Sequence, residues 1–168
     1  MTFEPIAVGD LLGHPGTSRA VLVRGTLEDL STEVAAVAGE VTAQLLLESV
    51  VEGILVSGRL VGVLSLRCAR CLDAFARPFE LEMHELFART PPPDAEDYQL
   101  GPDETLDLGQ VALDLIGVEM PFAPLCRPDC FGLCETCGGN RNLGQCPGHD
   151  EVDPRWAGLE AALERMND

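Results

Sequence analysis

The sequence predicts an α+β fold: an antiparallel β-meander or partly open barrel, with two helices and a cysteine-rich C-terminal segment. Three observations predict it. Between Ser18 and Phe87, apolar and polar residues alternate along several runs, the period of a half-buried strand. Two later stretches repeat apolar residues at steps of three and four, the period of an amphipathic helix. Between those stretches, "CRPDCFGLCETCGGNRNLGQCPGH" gathers five of the seven cysteines between Cys126 and His149.

The elements follow in chain order. "SRAVLVRGTL" (Ser18 to Leu27), "EVTAQLLLESV" (Glu40 to Val50) and "GILVSGRLVGVLSLR" (Gly53 to Arg67) read as strands. In the third, Ile54, Val56, Leu60, Leu64 and Leu66 share one parity, and Ser57, Arg59, Ser65 and Arg67 the other. Gly58 and Gly62 predict a bulge, bend or turn within it. The alternation resumes with Phe75, Phe79, Leu81, Met83 and Phe87 against Glu80, Glu82 and His84, so "RCARC" is read as a turn between two antiparallel strands. Residues 1–88 thus form a mainly antiparallel β region bearing the first C-x-x-C knuckle. Residues 89–106 contain "TPPPDAEDYQLGPDE", with three consecutive prolines and acids without a base, the composition of a solvated acidic loop. Asp107 is placed to cap a helix, with Gln110 at the capping-box position. Leu108, Val111, Ala112, Leu115 and Ile116 form its apolar stripe, interrupted by the weak helix formers Gly109 and Gly117 and ended by Pro121. Asp153 and Pro154 open a second helix, with Trp156, Leu159, Leu163 and Met166 on one face. Residues 107–168 are expected to pack with the β region as one compact unit.

A length of 168 residues, 46% of them hydrophobic and 23% charged, describes one globular domain that can bury a core without help from metal or disulfides. No apolar run has the length of a membrane span. The N-terminus "MTFEPIAVGDLLGHPG" lacks the basic and apolar regions of a signal peptide. A cytoplasmic protein with no membrane partner and no small-molecule substrate is the expectation. The net charge is −17, and all 11 basic residues are arginine. Such a body repels nucleic acid at long range and favours either basic partners or plain solubility.

Cysteine pairing sharpens the picture. An odd number of cysteines in a reducing compartment does not suit a disulfide framework. Seven cysteines with His149 make two sets of four, the coordination number of structural zinc. The pairs are Cys68-x2-Cys71, Cys126-x3-Cys130, Cys134-x2-Cys137 and Cys146-x2-His149, with Gly138, Gly139, Pro147 and Gly148 supplying turn residues. Two zinc ions are expected, in one of two arrangements. In the preferred one, Cys134, Cys137, Cys146 and His149 form a compact C-x2-C-x8-C-x2-H site, and Cys68, Cys71, Cys126 and Cys130 a long-range site. In the other, Cys126, Cys130, Cys134 and Cys137 share an ion and Cys68, Cys71, Cys146 and His149 share the second. Buried free thiols, a redox C-x-x-C pair and an iron–sulfur cluster are the competing readings. Zinc is favoured because a histidine completes the count. His14, in the turn "GHPG", and His84, on the polar parity of its strand, read as surface residues.

The acids form no paired motif for metal-assisted hydrolysis, and eight donors for two ions leave no coordination position open for catalysis. No catalytic residue is therefore named, and a non-enzymatic role is expected. A zinc-ribbon RNA-binding module acting alone is the alternative; a thiol redox protein or a nuclease is weaker. Arg67, Arg70 and Arg77 near the first knuckle, with Arg127 and Arg141 inside the second cluster, are candidate RNA contacts, set against ordinary solvated charge.

Taken together, "RCARC", the helix starting near "LDLGQV", "PLCRPDCFGLCETCGGNRN" and "DPRWAGLEAAL" resemble the YceD family over Val23 to Leu163. That family is bacterial, with plastid relatives in plants. The resemblance implies a factor supporting synthesis, processing or stability of large-subunit ribosomal RNA, in a gene often found beside one for a large-subunit ribosomal protein. It implies as partner a large-subunit ribosomal RNA precursor or a basic large-subunit ribosomal protein, and no catalytic activity. Family members often end the cluster with closely spaced cysteines, where this chain has "CPGH".

Overall fold

The computed structural model describes residues 3–27, 30–90 and 98–149. In chain order its elements are β1 (Ile6–Ala7), β2 (Ser18–Thr26), β3 (Ala35–Val37), β4 (Glu40–Ser49), β5 (Gly53–Arg67), β6 (Ala74–Ala88), β7 (Tyr98–Gln99), β8 (Thr105–Leu106), α1 (Leu108–Glu119) and a 3-10 turn (Arg141–Leu143). The fold is mostly strand.

The long β5–β6 hairpin organises everything else. Its strands pair one to one from Gly53↔Ala88 to Arg67↔Ala74, because both carry the same two-residue alternation. β4 takes the other edge of β5 from Thr42↔Val61 to Ser49↔Ile54, and β2 pairs outside β4. β3 occupies the remaining length of that β5 edge, from Ala35↔Leu66 to Val37↔Leu64. β7 joins β6 in parallel at Phe87↔Tyr98, while β1 and β8 form a separate two-stranded ladder. Both sheets are open. The described residues therefore form an extended meander and not a closed barrel.

One face of the large sheet builds the core. Val41, Leu45, Leu47, Ile54, Val56, Leu60, Leu64, Leu66, Met83 and Phe87 are all buried in one cluster. The helix α1 adds Leu108, Val111, Ala112 and Ile116 to it. Burying an aliphatic side chain of this kind contributes about 1.5–3 kcal/mol, so this contact fixes the helix on the sheet.

Gly58 and Gly62 make no bulge, since the register runs through both. Their role is close approach. A Cβ on Gly58, at φ +149°, would stand 2.1 Å from the carbonyl oxygen of Gln44. A Cβ on Gly62 would stand 2.6 Å from Cζ of Phe79, whose ring covers the gap in the neighbouring strand.

The expected cap of α1 forms, but the capping box does not. Asp107 Oδ1 accepts from the backbone N–H of Gly109 at 2.8 Å. The Gln110 amide instead donates to Asp114 Oδ1 at 2.9 Å, a charged acceptor one turn further on. Met120 N–H donates to the carbonyls of Ile116 and Gly117, which closes the helix just before Pro121. Gly117 is exposed and a Cβ there would meet nothing within 4 Å. Gly117→Ala should therefore raise stability by about 0.5–1 kcal/mol through the lost flexibility of the unfolded chain. Urea denaturation reads this directly, and a lower midpoint would contradict the helix assignment.

Two short strands with no readable period depart from the sequence reading. The stretch read as an acidic loop contains β7 and β8. Tyr98 stacks on Phe87 with ring centroids 5.3 Å apart and donates to Asp114 Oδ2 at 2.8 Å, so it ties β6 to α1. Burial and the Asp114 carboxylate push the Tyr98 hydroxyl up to about 12, leaving it a donor. The structure has one α-helix among the described residues; the helix expected from Asp153 to Met166 lies outside them. No helix among the described residues is long and apolar enough to cross a membrane.

Candidate metal centre

The β5–β6 tip places the first pair of cysteines. Residues 68–73 close a tight knuckle: Cys68 N–H donates to the Asp73 carbonyl at 2.9 Å, and Leu72 N–H to the Cys68 carbonyl at 3.0 Å. Leu72 completes the turn in the left-handed region, at φ +64°. The chain leaving α1 returns to this tip, where Ala69 N–H donates to the Pro124 carbonyl at 2.7 Å. That contact delivers Cys126 and Cys130. The Sγ atoms of Cys68, Cys71, Cys126 and Cys130 all lie within 4.8 Å of one another. Cys68 and Cys130 are 3.8 Å apart, and Cys71 and Cys126 3.7 Å. A tetrahedron with metal–sulfur bonds of about 2.3 Å has edges of about 3.8 Å, whereas a disulfide needs about 2.05 Å. These separations leave room for one cation held by four thiolates and exclude disulfides. Cys68, Cys71 and Cys130 are buried under Phe75 and Leu125, and Cys126 is exposed.

The second group lies at the surface. Gly138 N–H donates to the Cys134 carbonyl at 2.8 Å, and Cys134 N–H to the Gly139 carbonyl at 2.9 Å. Gly138, at φ +71°, makes the turn without strain. The 3-10 turn then leads the chain back to Cys146 and His149, whose ligand atoms also lie within 4.8 Å of those of Cys134 and Cys137. Cys137 and His149 are exposed. This grouping is the compact arrangement anticipated first from the spacing. The alternative does not form, because the knuckle contacts to Pro124 commit Cys126 and Cys130 to the hairpin tip. His14 and His84 stand outside both groups and are exposed.

Two residues that the cysteine spacing did not single out hold the groups in place. Asn140 is buried at 6% exposure, and its amide donates to Asp73 Oδ2 at 3.1 Å. Its Oδ1 accepts from the backbone N–H and the amide of Asn142, both at 3.0 Å. Asn142 in turn donates to Cys130 Sγ at 3.4 Å, and its Oδ1 accepts from Phe131 N–H at 2.9 Å. Such outer partners orient ligands and tune their basicity. The only sequence signal is "NRN" itself, two polar residues between ligands, and asparagine has no characteristic metal-site spacing.

The surroundings favour thiolate at Cys68, Cys130 and Cys134, and the protonated thiol at Cys71, Cys126 and Cys146. Burial pushes the Cys68 thiol up, but the backbone N–H groups of Cys71, Cys126 and Arg70 outweigh it and bring it down to about 6. Burial likewise raises Cys130, and the Asn142 amide with the Gly132 N–H reverses that. The N–H groups of Cys137 and Thr136 bring Cys134 down to about 6. A lowered thiol pKa stabilises the folded, ionised form above the ordinary value of 9.0, and that contribution is lost as pH falls through about 6. A bound cation competes with those protons. Acid titration with a chromogenic metal indicator should show retention at pH 7 and release on acidification, as protons compete for the thiolates. Release at neutral pH would contradict this ligand environment.

The five candidate arginines are all exposed but do not form one patch. Arg70 donates from Nη1 to the Cys130 carbonyl at 3.0 Å, and Arg127 from Nη2 to Asn142 Oδ1 at 2.7 Å. Arg141 opens the 3-10 turn beside them. Arg67 pairs with Ala74 and Arg77 with Leu64, and these positions fall on opposite faces of the pleated hairpin. Arg70 and Arg127 therefore brace the buried cysteines, whatever else they touch.

Fold and site together define a class: a mostly antiparallel β protein whose C-terminal segment folds back on a hairpin tip to form two four-donor groups able to hold metal ions. The chain belongs to the YceD family. The family described as "Large ribosomal RNA subunit accumulation protein YceD" matches residues 56–162. An uncharacterized protein of Mycobacterium tuberculosis is 42% identical over 134 residues, covering 74% of this chain and 62% of that protein. One of Mycobacterium leprae is 37% identical over 130 residues, covering 73% and 59%. The chain thus spans less than two thirds of the length of these relatives. A chloroplastic protein of Zea mays, "Large ribosomal RNA subunit accumulation protein YCED homolog 1", is 40% identical over 40 residues, 24% of this chain and 14% of that protein. No solved structure matches the chain.

Proposed function

We propose that this chain is a non-enzymatic factor supporting accumulation of large-subunit ribosomal RNA, working in the cytoplasm with two structural zinc ions. The observation that carries the zinc reading is the convergence of Cys68, Cys71, Cys126 and Cys130, two pairs of them 3.7 and 3.8 Å apart, with a second group of three cysteines and His149 whose donors also lie within 4.8 Å of one another. Zinc suits both donor sets, and the histidine of the second weighs against an all-thiolate iron–sulfur cluster. Four protein donors per ion leave no position for an activated water, which supports a structural and not a catalytic metal.

Family membership supports the ribosomal role. The net charge of −17 supports a basic large-subunit ribosomal protein as the direct partner, in preference to bare RNA. Around the knuckles, Arg70, Arg127 (3.6 Å from Asp129) and Arg141 are the cations from which RNA in an assembling particle can still be touched.

The test is a strain lacking the gene, analysed on sucrose gradients alongside affinity recovery of the tagged chain. Depleted large subunits, with recovery of their precursors or of one basic ribosomal protein, is the result expected. Normal subunit profiles, with all of the protein in the free fraction, would overturn the ribosomal reading.

A further inference from the structure

The two four-donor groups differ sharply in surroundings. Three of the four donors of the hairpin-tip group are buried, whereas Cys137 and His149 of the second are exposed and Cys134 and Cys146 half-buried. They are also mechanically joined. The loop of the exposed group is anchored at Asn140: its N–H donates to Gln145 Oε1 and its carbonyl accepts from Gln145 N–H, both at 3.2 Å, immediately before Cys146. The same Asn140 donates to Asp73, whose carbonyl accepts from Cys68 N–H at 2.9 Å. Through Asn142 it also reaches Cys130 Sγ. On the other strand of the loop, Arg141 N–H donates to the Gly132 carbonyl and Leu133 N–H to the Arg70 carbonyl, both at 3.0 Å. A Cβ on Gly132 would stand 2.9 Å from that same carbonyl, so the two segments are in close contact.

We propose that the exposed group is a clasp on the buried one: the chain loses its ions in a fixed order, surface ion first, and Asn140 transmits that loss to the hairpin tip. This rests on both groups holding zinc. With Cys134, Cys137, Cys146 and His149 fixed on an ion, the 3-10 turn is held, and Asn140 and Asn142 are pinned against Asp73 and Cys130. Without that ion, the turn is secured only by its part-buried hydrogen bonds, which water can reach once the loop loosens. The buried ligands then lose the partners that orient them, an effect of about 10–100-fold on metal retention at comparable sites. Linkage is reciprocal, so an intact hairpin-tip group must tighten the surface group by the same factor. The chain would then answer a chelating or thiol-oxidising environment in two stages instead of one.

The test is zinc release from the full chain into excess of a chromogenic chelator, followed by stopped flow. Two phases of one ion each are expected, the slower belonging to the buried group. Cys137→Ser, which removes an exposed donor, should delete the fast phase and leave the slow one within twofold, because in wild type too the buried ion leaves after the surface ion has gone; a slow phase changed more than twofold would overturn the fixed order. Cys68→Ser, which empties the hairpin-tip group, should delete the slow phase and speed the fast one at least tenfold. Asn140→Ala should speed the fast phase similarly, and adding Cys68→Ser to it should change that phase less than twofold further. Asp73→Ala breaks the same link from the hairpin side without altering the surface loop, and should reproduce the Asn140→Ala effect. A fast phase within twofold of wild type in Cys68→Ser would overturn the clasp while leaving two-zinc binding intact. Purified chain that takes up no zinc would remove both the clasp and the zinc reading beneath it.

Discussion

Cys68→Ser should reduce the chain from two bound cations to one and release the segment after α1 from the hairpin tip. The expected effect is the largest of any single side-chain change here. Cys68 is fully buried, 3.8 Å from Cys130, and its backbone closes the knuckle through Asp73. A structural zinc site contributes about 10–16 kcal/mol of binding free energy at neutral pH. Truncating a large core side chain costs about 3–5 kcal/mol. The sheet need not unfold, because Leu47, Ile54, Val56, Leu60 and Phe87 form a core of their own, separate from the cysteine cluster. The signature is therefore local: protection from hydrogen exchange lost around residues 121–133 and at the hairpin tip, with the strands beyond it still protected. Metal analysis and exchange mass spectrometry read both halves. Two ions retained, with protection unchanged, would place the buried cysteines outside any metal site.

Gly58→Ala should be nearly as damaging, for a different reason. The new Cβ would stand 2.1 Å from the Gln44 carbonyl oxygen and 2.9 Å from the Leu45 Cα, both backbone atoms of the neighbouring strand. Neither can move without breaking the β4–β5 ladder at the centre of the sheet. A cost of about 4 kcal/mol or more follows, a large share of the roughly 5–15 kcal/mol that holds a domain together. Gly62→Ala in the same strand is the control. There the new Cβ meets the tip of the Phe79 ring, which can swing aside, and about 1–2 kcal/mol is expected. Thermal denaturation of the pair separates the two cases. Equal losses would mean that the close approach at Gly58 is not what sets its identity.

The β5–β6 hairpin was legible in the sequence because most apolar residues of each 15-residue strand share one parity, despite Arg77 and Glu85 on the apolar parity of β6. The α1 start was legible from Asp107, since only a short polar side chain caps well there. β1, β7 and β8 were not, at two residues each. They exist because Ile6, Leu106 and the Tyr98 ring find cover in the tertiary structure, which no local pattern encodes. Glycine spacing in β5 suggested bent backbone, whereas the structure uses the missing side chains for strand proximity. Paired cysteine spacing restricted the ligand sets to two. The choice between them depended on Pro124 docking at Ala69, a contact between residues far apart in the chain. Asn140 and Asn142 escaped because their role is defined by what they bridge and not by their own chemistry.

The most direct measurement is native mass spectrometry of the purified, reduced chain, with elemental analysis of the ion. Two zinc ions per chain are predicted, with collapse of the hairpin-tip contacts on their removal. A polypeptide that is free of metal yet shows the same exchange protection from Cys68 to Cys146 would contradict the account at its base.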